Sequence, residues 1–337
     1  MPKSAYWQTV VQQAKQNNQP FFSLAPMEAV TDAVFRQVVQ AAAAPDLFYT
    51  EFTNAKSVSH PKAKFSVAGR LYVAEDEKKM PIAQFWGNEG QDFLAAAREA
   101  KNLGYEAIDI NMGCPDATVI KNGGGSDLIR HFDSAAQVIA AAKEGGLPVS
   151  VKTRLGFNDL ETFREWIPFL LRQDIEVLTV HLRSRKEMSK VDAHYEYIDE
   201  IVKMRDEIAP DTLLQINGDI KTREQGLAIV AEHPGVDGVM IGRGIFESPY
   251  AFELEPTQHT LAEMLTLLRL QLDLYDEFVE KFGKRKFDAL KRFFKIYVRN
   301  IPHAAGLREQ LMNTHSTDEV RAILDRVVAA GVEYGEH

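Results

Sequence analysis

The chain has 337 residues, of which 45% are hydrophobic and 26% are charged, a composition typical of soluble globular proteins. This length accommodates a barrel of about 250 residues with a small additional domain. No apolar run reaches the roughly 18 residues of a membrane span, and the N-terminus has no signal-peptide core, so we expect a cytoplasmic protein with no membrane partner. The single cysteine, Cys114, excludes an internal disulfide and a multi-cysteine metal site, and the net charge of −9 argues against general attraction to nucleic acid.

Short apolar runs alternate with segments of helical spacing through the first 255 residues. Alternating strands and helices indicate a parallel sheet, and eight such units in about 230 residues indicate a closed barrel. The sequence therefore predicts an α/β fold, a (β/α)8 TIM barrel over residues 1–255. The long connection 66–79 is predicted to form a hairpin-like insertion. The predicted strands are 21–27, 47–52, 81–87, 107–113, 147–154, 177–183, 213–219 and 238–244.

Helical periodicity without strands follows, and it predicts a small helical domain over residues 256–337 with helices at 261–283, 287–301 and 317–331. Residues 281–299 hold eight basic residues and one acidic residue, Asp288. Such a segment is either a phosphate-binding surface or a solvated helix face. The basic residues that would form such a phosphate-binding surface are Lys284, Arg285, Lys286, Lys291, Arg292 and Lys295.

Polar residues stand at the carboxyl end of each predicted strand, which is where barrels of this kind carry their functional groups. The turns after strands 7 and 8, QINGD and IGRG, suit a phosphate, although Gly218 and Gly242 would also serve as ordinary tight turns. Lys152 points towards the barrel mouth and needs an anionic partner there, for which a reduced flavin is a candidate. His181 fits either the phosphate or the flavin edge, or a purely structural role.

Cys114 lies on the loop after strand 4, between Gly113 and Pro115. A lone cysteine is usually a small buried hydrophobic residue. An ordinary thiol has a pKa near 8.5 and is mostly protonated at neutral pH, which suits a general acid. The glycine-rich stretch 123–125 in the same loop indicates a flexible segment or a close approach of the backbone.

The motifs at the strand ends resemble those of one family, the tRNA-dihydrouridine synthases. The most specific is NMGCPDATVIKNGGGSDL at 111–128, and the tail KRFFKIYVRNIPHAAGLREQLM at 291–312 also resembles the family's helical domain. The other similar motifs are LAPMEAVTDAVFR (24–36), YTEF (49–52), VSVKTRLG (149–156), VHLRSR (180–185), NGDI (217–220) and MIGRG (240–244).

The resemblance implies an FMN-dependent enzyme that reduces uridine in tRNA, with NADPH or NADH as reductant. Cys114 would then donate the proton, and Asn111, Arg154, Arg183 and Arg185 would contact the RNA. We expect a monomer with tRNA as its partner and no metal. The residues implied to bind FMN are Pro26, Met27, Glu28, Gln84, Lys152, His181, Asn217, Gly218, Asp219, Gly242 and Arg243.

Four positions depart from the family pattern, namely Ala29 and Leu182 where glycine is usual, Ile120 where asparagine is usual, and Ser189 where tyrosine is common. None of these departures removes a chemical group that the reaction needs. Two other hypotheses remain: a reductase of small molecules similar to dihydroorotate dehydrogenase, and an RNA-binding protein without activity. The basic tail argues against the first hypothesis, and Cys114 with Lys152 and the phosphate turns argues against the second.

Overall fold

The computed structural model describes residues 4–283, 285–299 and 304–329. Within these ranges the chain forms eight parallel strands, hydrogen-bonded in the order β1-β8-β7-β6-β5-β4-β3-β2. The strands are β1 (Phe21–Leu24), β2 (Thr53–Asn54), β3 (Ala83–Trp86), β4 (Ile108–Met112), β5 (Val149–Arg154), β6 (Val177–His181), β7 (Leu213–Asn217) and β8 (Gly238–Ile241).

The sheet closes on itself through the segment that precedes β2. The Leu47 amide donates to the Phe22 carbonyl at 3.1 Å on one side, and the Ile82 amide donates to the Phe48 carbonyl at 2.8 Å on the other. The (β/α)8 barrel is therefore confirmed. The second strand is less regular than predicted, since residues 47–52 make only isolated bridges and the regular ladder begins at Thr53.

Fourteen α-helices surround and extend the barrel within the described residues. They are α1 (Ala5–Gln16), α2 (Ala33–Ala43), α3 (Ala55–Val58), α4 (Lys64–Arg70), α5 (Gly90–Asn102), α6 (Ala117–Lys121), α7 (Phe132–Glu144), α8 (Phe163–Leu171), α9 (Ile198–Ile208), α10 (Arg223–Glu232), α11 (Leu261–Phe282), α12 (Asp288–Tyr297), α13 (Ala304–Met312) and α14 (Thr317–Ala329).

Helix α1 covers the amino-terminal end of the barrel. Its Trp7 is fully buried in a cluster that also holds Phe21, Tyr49, Val177 and Leu213, which come from four different parts of the barrel wall. Apolar burial closes this end, and barrels of this kind carry their sites at the opposite end, where the strands finish. The strands themselves are buried almost throughout, as expected for a parallel sheet covered by helices.

The hairpin predicted over 66–79 is wrong. Its first residues belong to α4, and the remainder is irregular. The reason is long-range, because the buried Arg36 of α2 donates to the Glu77 carboxylate at 2.7 Å and to the Tyr72 carbonyl at 2.8 Å. The segment satisfies its polar groups on α2 and has no need of a second strand.

The chain after the barrel is helical, as predicted, but it contains a fourth helix, α13, between the second and third predicted ones. This helix is only 9 residues long and buries only Leu307 and Leu311, so its periodicity is too weak to detect in the sequence. Helix α11 begins with a capping box, in which Thr260 and Glu263 satisfy each other's backbone amides, and it packs against α2 of the barrel.

Candidate active site

A cavity of about 560 Å³ opens at the carboxyl ends of the strands. The strand register explains why distant residues meet there, since Asn111 pairs with Lys152, and His181 pairs with Asn217, across adjacent strands. The predicted site residues that line this cavity are Pro26, Met27, Glu28, Asn111, Cys114, Lys152, Arg154, His181, Arg183, Asn217, Gly218, Asp219, Gly242 and Arg243.

The turns after β7 and β8 form one wall of the cavity. Gly218 has a φ of +132°, and a side chain there would meet Ala193 at 3.0 Å and the His181 ring at 3.3 Å. A glycine is therefore required at this turn by both its conformation and the space around it. Asp219 follows with a φ of +54° and forms ion pairs with Arg183 and Arg243.

Positive charge accumulates around this wall. Burial, Arg154 and Lys152 hold the pKa of His181 well below its usual value, so its imidazole is neutral at physiological pH. Burial and the neighbouring Arg154 lower the pKa of Lys152 to about 8, and burial lowers that of Arg154 to about 10. Cations that depress one another's pKa values in a water-poor site are suited to bind an anion, which would relieve their repulsion.

The Lys152 side chain reaches across the barrel from β5. Its Nζ donates to Oδ1 of Asn217 at 3.2 Å, and the Asn217 amide nitrogen donates in turn to the Met240 carbonyl at 2.8 Å. The three bonded residues lie on β5, β7 and β8. The ammonium is thereby held at the wall of the cavity by a hydrogen bond to a side chain that is itself fixed to β8.

The loop that carries Cys114 is shaped by the end of β4. Oδ1 of Asn111 accepts hydrogen bonds from the amides of Gly113 at 3.1 Å and Cys114 at 2.9 Å. The Cys114 carbonyl accepts from both the amide and the hydroxyl of Ser126, at 3.0 and 2.9 Å. Burial raises the pKa of the Cys114 thiol above its usual value, so the thiol stays protonated at neutral pH.

The glycine-rich stretch 123–125 packs directly against this loop. Gly125 has a φ of +59°, and a Cβ on it would lie 2.8 Å from the Cys114 carbonyl oxygen and 2.7 Å from a Val119 methyl group. Of the two interpretations open from the sequence, close approach of the backbone is the one that the structure supports.

Gln84 lies below the cavity and does not line it. Its side chain is fully buried, donates to Oδ2 of Asp109 at 2.6 Å and accepts from Nδ2 of Asn111 at 3.0 Å. Asp109 was not among the predicted site residues, and burial raises its pKa to about 6. A charged residue in the middle of the apolar run AIDINMG was the signal in the sequence.

The three arginines predicted to contact RNA from the barrel loops lie mostly inside the protein. Arg183 is 2% exposed and donates to the Val191 carbonyl at 2.7 Å in addition to its pairing with Asp219. Arg154 is 5% exposed, and its donors go to backbone carbonyl groups. The Arg185 guanidinium lies over the Phe157 ring, 5.1 Å from its centroid, outside the cavity.

A second cavity of about 710 Å³ adjoins the first and shares Glu28, Phe52 and Cys114 with it. Its walls include Trp86 and Arg70, and Arg70 forms an ion pair with Glu28 between the two cavities. Cys114 thus lines two cavities, one with the turns after β7 and β8 in its wall and one with an aromatic ring and polar side chains in its wall.

The basic residues of the tail divide into two groups. Arg285 forms an ion pair with the buried Asp32 of the barrel, and Nη1 of Arg292 donates to the Ala29 carbonyl at 3.2 Å. Lys291 pairs with Asp288 at 2.9 Å on its own helix. Lys286 and Lys295 are exposed, whereas Lys284 lies outside the described residues. The two arginines therefore attach the tail beside the segment that lines the cavity.

Among residues 4–283, 285–299 and 304–329, no group of His, Cys, Asp or Glu side chains is arranged to hold a metal ion. In the same part of the chain no helix combines the length and the apolar character needed to cross a bilayer.

Comparison with known proteins agrees with the family that the motifs at the strand ends indicate. The family model "Dihydrouridine synthase (Dus)" matches residues 23–331. "Probable tRNA-dihydrouridine synthase 2" of Bacillus subtilis (strain 168) is 57% identical over 306 residues, which cover 91% of this chain and 93% of that protein. "Probable tRNA-dihydrouridine synthase" of Staphylococcus aureus (strain MRSA252) is 56% identical over 310 residues, covering 92% and 94%. The chain therefore belongs to the dihydrouridine synthase family, as the resemblance of its motifs predicts.

Proposed function

We propose that this protein reduces uridine in tRNA to dihydrouridine, with FMN bound in the mouth cavity and NADPH as the usual reductant. The observation that carries the proposal is the convergence on one cavity of a protonated thiol, a central lysine and two phosphate-type turns. The family of the chain and the names of its relatives, which cover almost the whole chain, support the same reaction.

The residues of the cavity fit FMN. The glycine turns at Gly218 and Gly242, with Arg243 and Asn217 beside them, suit a terminal phosphate, because backbone amides and cations can approach it closely. Lys152 would hold the anionic edge of the reduced ring, and the neutral His181 offers a hydrogen-bond partner without adding charge. Pro26 and Met27 provide an apolar surface for a planar ring. When bound, FMN supplies the hydride that adds to C6 of the uracil.

Cys114 would supply the proton to C5 of the uracil. Negative charge arises at C5 and O4 as C6 is reduced, because C4=O is conjugated with the double bond. A thiol whose pKa is raised by burial remains protonated until that charge develops, which is the requirement for a general acid. The base must leave its stack to reach the cavity, at a cost of a few kcal/mol.

The exposed lysines of the tail would bind the RNA backbone. Lys286 and Lys295 are exposed, and they belong to the same segment as the arginines that attach the tail at Ala29 and Asp32. Lys284 remains part of this proposal from the sequence alone. The buried Arg154 and Arg183 are better suited to shaping the cavity than to contacting phosphates, whereas Arg185 remains a candidate for RNA contact.

The direct test compares tRNA from a strain that lacks this protein with tRNA from the same strain after it is restored. Position-resolved mapping should show one or more dihydrouridines that depend on the protein, and the purified protein should be yellow and release FMN. A colourless protein that binds no FMN on titration, or unchanged tRNA, would contradict the proposal. The predictions of a monomer and of a cytoplasmic location remain open to size-exclusion chromatography and fractionation.

A further inference from the structure

Arg154 is a buried cation of the cavity wall whose Nε and Nη1 groups bind the protein's own backbone. It is the last residue of β5, is 5% exposed, and its Nε donates to the Gly113 carbonyl at 2.7 Å. Its Nη1 donates to the carbonyls of Ser184 at 3.2 Å and Met188 at 3.1 Å. A single guanidinium thus joins two loops of the mouth that have no covalent link nearby.

The two loops contribute different residues to the cavity. The first begins at Gly113 and carries Cys114 as its next residue. The second, residues 184–190, has an exposed Met188 with a φ of +55° and contributes Ser189 to the cavity. A non-glycine residue in the left-handed region is strained, so the surrounding contacts must hold it there. The Arg154 bond to the Met188 carbonyl is one such contact.

This arrangement of acceptors requires a planar guanidinium group. Nε and Nη1 point in different directions and reach carbonyls on opposite sides, whereas a lysine ammonium is a compact charge on a flexible stem. Placing a cation here costs free energy, since burial lowers the pKa of Arg154 to about 10. Hydrophobic packing would fill the space at lower cost, but it would not connect the carbonyl groups of the two loops.

We propose that Arg154 is a positioning residue that clamps the Cys114 loop to residues 184–188 and so fixes the thiol at the cavity wall. This inference rests on the proposed function only in giving Cys114 the role of proton donor. The clamp itself is a property of the two loops, and it has consequences that can be measured without tRNA.

The first measurement is alkylation of Cys114 by iodoacetamide. Cys114 is the only cysteine in the chain, so the rate reports on this loop alone. Arg154→Lys keeps a cation beside the loop but loses at least one of the three carbonyl contacts. The loop should open more often, and the alkylation rate should rise about tenfold, the factor expected for one charged hydrogen bond.

Arg205→Lys is the matched control. Arg205 is similarly buried, and it donates to the carbonyls of Thr212 at 3.1 Å and Gly235 at 2.7 Å, near the amino ends of β7 and β8. The loss of these contacts in Arg205→Lys should lower the melting temperature without changing the alkylation rate of Cys114. Hydrogen exchange adds a second readout: the Ser126 amide, bonded to the Cys114 carbonyl, should exchange faster in Arg154→Lys only.

With FMN and tRNA present, Arg154→Lys should slow single-turnover flavin reoxidation at saturating tRNA about 10²-fold, with little change in the tRNA concentration that gives half the limiting rate, since the acid is misplaced rather than the substrate lost. Alkylation and exchange rates equal to wild type in Arg154→Lys, or equally raised in Arg205→Lys, would overturn the proposal. So would the failure of both Arg154→Lys and Arg154→Gln to fold, which would assign Arg154 to global stability. If wild type does not reduce tRNA but the alkylation result holds, the proposed function fails and the clamp stands.

Discussion

The local electrostatic surroundings set the protonation states of the side chains at the mouth of the barrel. Cys114 has a raised pKa because it is buried, whereas Lys152 and His181 have lowered values because they are buried among other cations. At neutral pH the thiol is therefore protonated, the imidazole is neutral and the lysine is mostly charged. These three states are the ones required for a proton donor beside an anionic cofactor.

Cys114→Ala should separate the two half-reactions. Flavin reduction by NADPH needs no proton from this thiol and should proceed at nearly the wild-type rate. The oxidative half-reaction with tRNA should slow by about 10²–10⁴-fold even at saturating tRNA, the usual contribution of general acid catalysis. Anaerobic single-turnover reoxidation measures this. An alanine variant that reoxidises as fast as wild type would exclude Cys114 as the acid, whereas one that only binds tRNA weakly would assign it to packing.

FMN affinity should depend on pH through Lys152. Its pKa is lowered to about 8 in the protein, so the ammonium is charged below about pH 8 and loses its charge above it. Affinity for reduced FMN, whose ring edge is anionic, should therefore be highest below pH 8 and fall as the pH rises through that value. Anaerobic titration of the protein with reduced FMN from pH 6 to 9, followed by absorbance, measures the effect. Lys152→Gln should bind more weakly at pH 6.5 and lose this pH dependence; if it retains the dependence, another group is responsible.

The turn before α2 contains one of the departures from the family pattern, and the structure shows why glycine is usual there. Ala29 stands where glycine is usual and has a φ of +55°. Its amide donates to Oε1 of Glu51 at 2.5 Å, and its carbonyl accepts from Arg292, so its conformation is held on both sides. The backbone demand that favours glycine is therefore still present, and alanine meets it with strain.

Ala29→Gly should stabilise the protein by about 0.5–1 kcal/mol, because relief of the left-handed strain exceeds the extra entropy of glycine in the unfolded chain. Ala33→Gly, four residues later in the first turn of α2, is the control and should destabilise by up to about 1 kcal/mol. Urea unfolding with linear extrapolation measures both. A loss of stability in Ala29→Gly would show that the alanine methyl group makes contacts that outweigh the strain.

For the whole molecule, the tail and the barrel meet at a boundary of buried charges. Asp32 caps α2 by accepting from the Phe35 amide at 2.9 Å and also pairs with Arg285 of the tail. Burial and the Asp32 charge raise the pKa of the adjacent Glu51 to about 7, while Arg70 lowers it. The basic run is therefore not available as a whole for binding phosphates, since Arg285 neutralises a barrel carboxylate and Arg292 binds a barrel carbonyl.

Two neighbouring substitutions should separate these roles. Arg285→Gln leaves the buried Asp32 without its cation and should lower the free energy of unfolding by about 1–3 kcal/mol. Lys286→Gln, on the next residue, is exposed and should leave stability within about 0.5 kcal/mol. Lys286→Gln should instead reduce the slope of log K for tRNA against log salt by about one. Equal stability losses in the two variants, or an unchanged salt slope in Lys286→Gln, would contradict this division.

The sequence by itself determined the barrel and the location of its mouth. Strands that alternate with helices form a parallel sheet, and the carboxyl ends of parallel strands meet at one edge, so the polar residues after β4 to β8 had to converge. The resemblance around Cys114 likewise predicted the family that the comparisons confirm. Both inferences depend on patterns local in the chain.

Only the tertiary structure decided which polar groups face the cavity and which bind the protein itself. Gln84 bonds to Asp109, Arg154 to the carbonyls of Gly113, Ser184 and Met188, and Arg285 to Asp32. Each of these partners lies at least 25 residues away in the sequence. A buried polar group binds the complementary group that packing brings nearest, and that choice is set by the positions of distant segments rather than by neighbours in the chain.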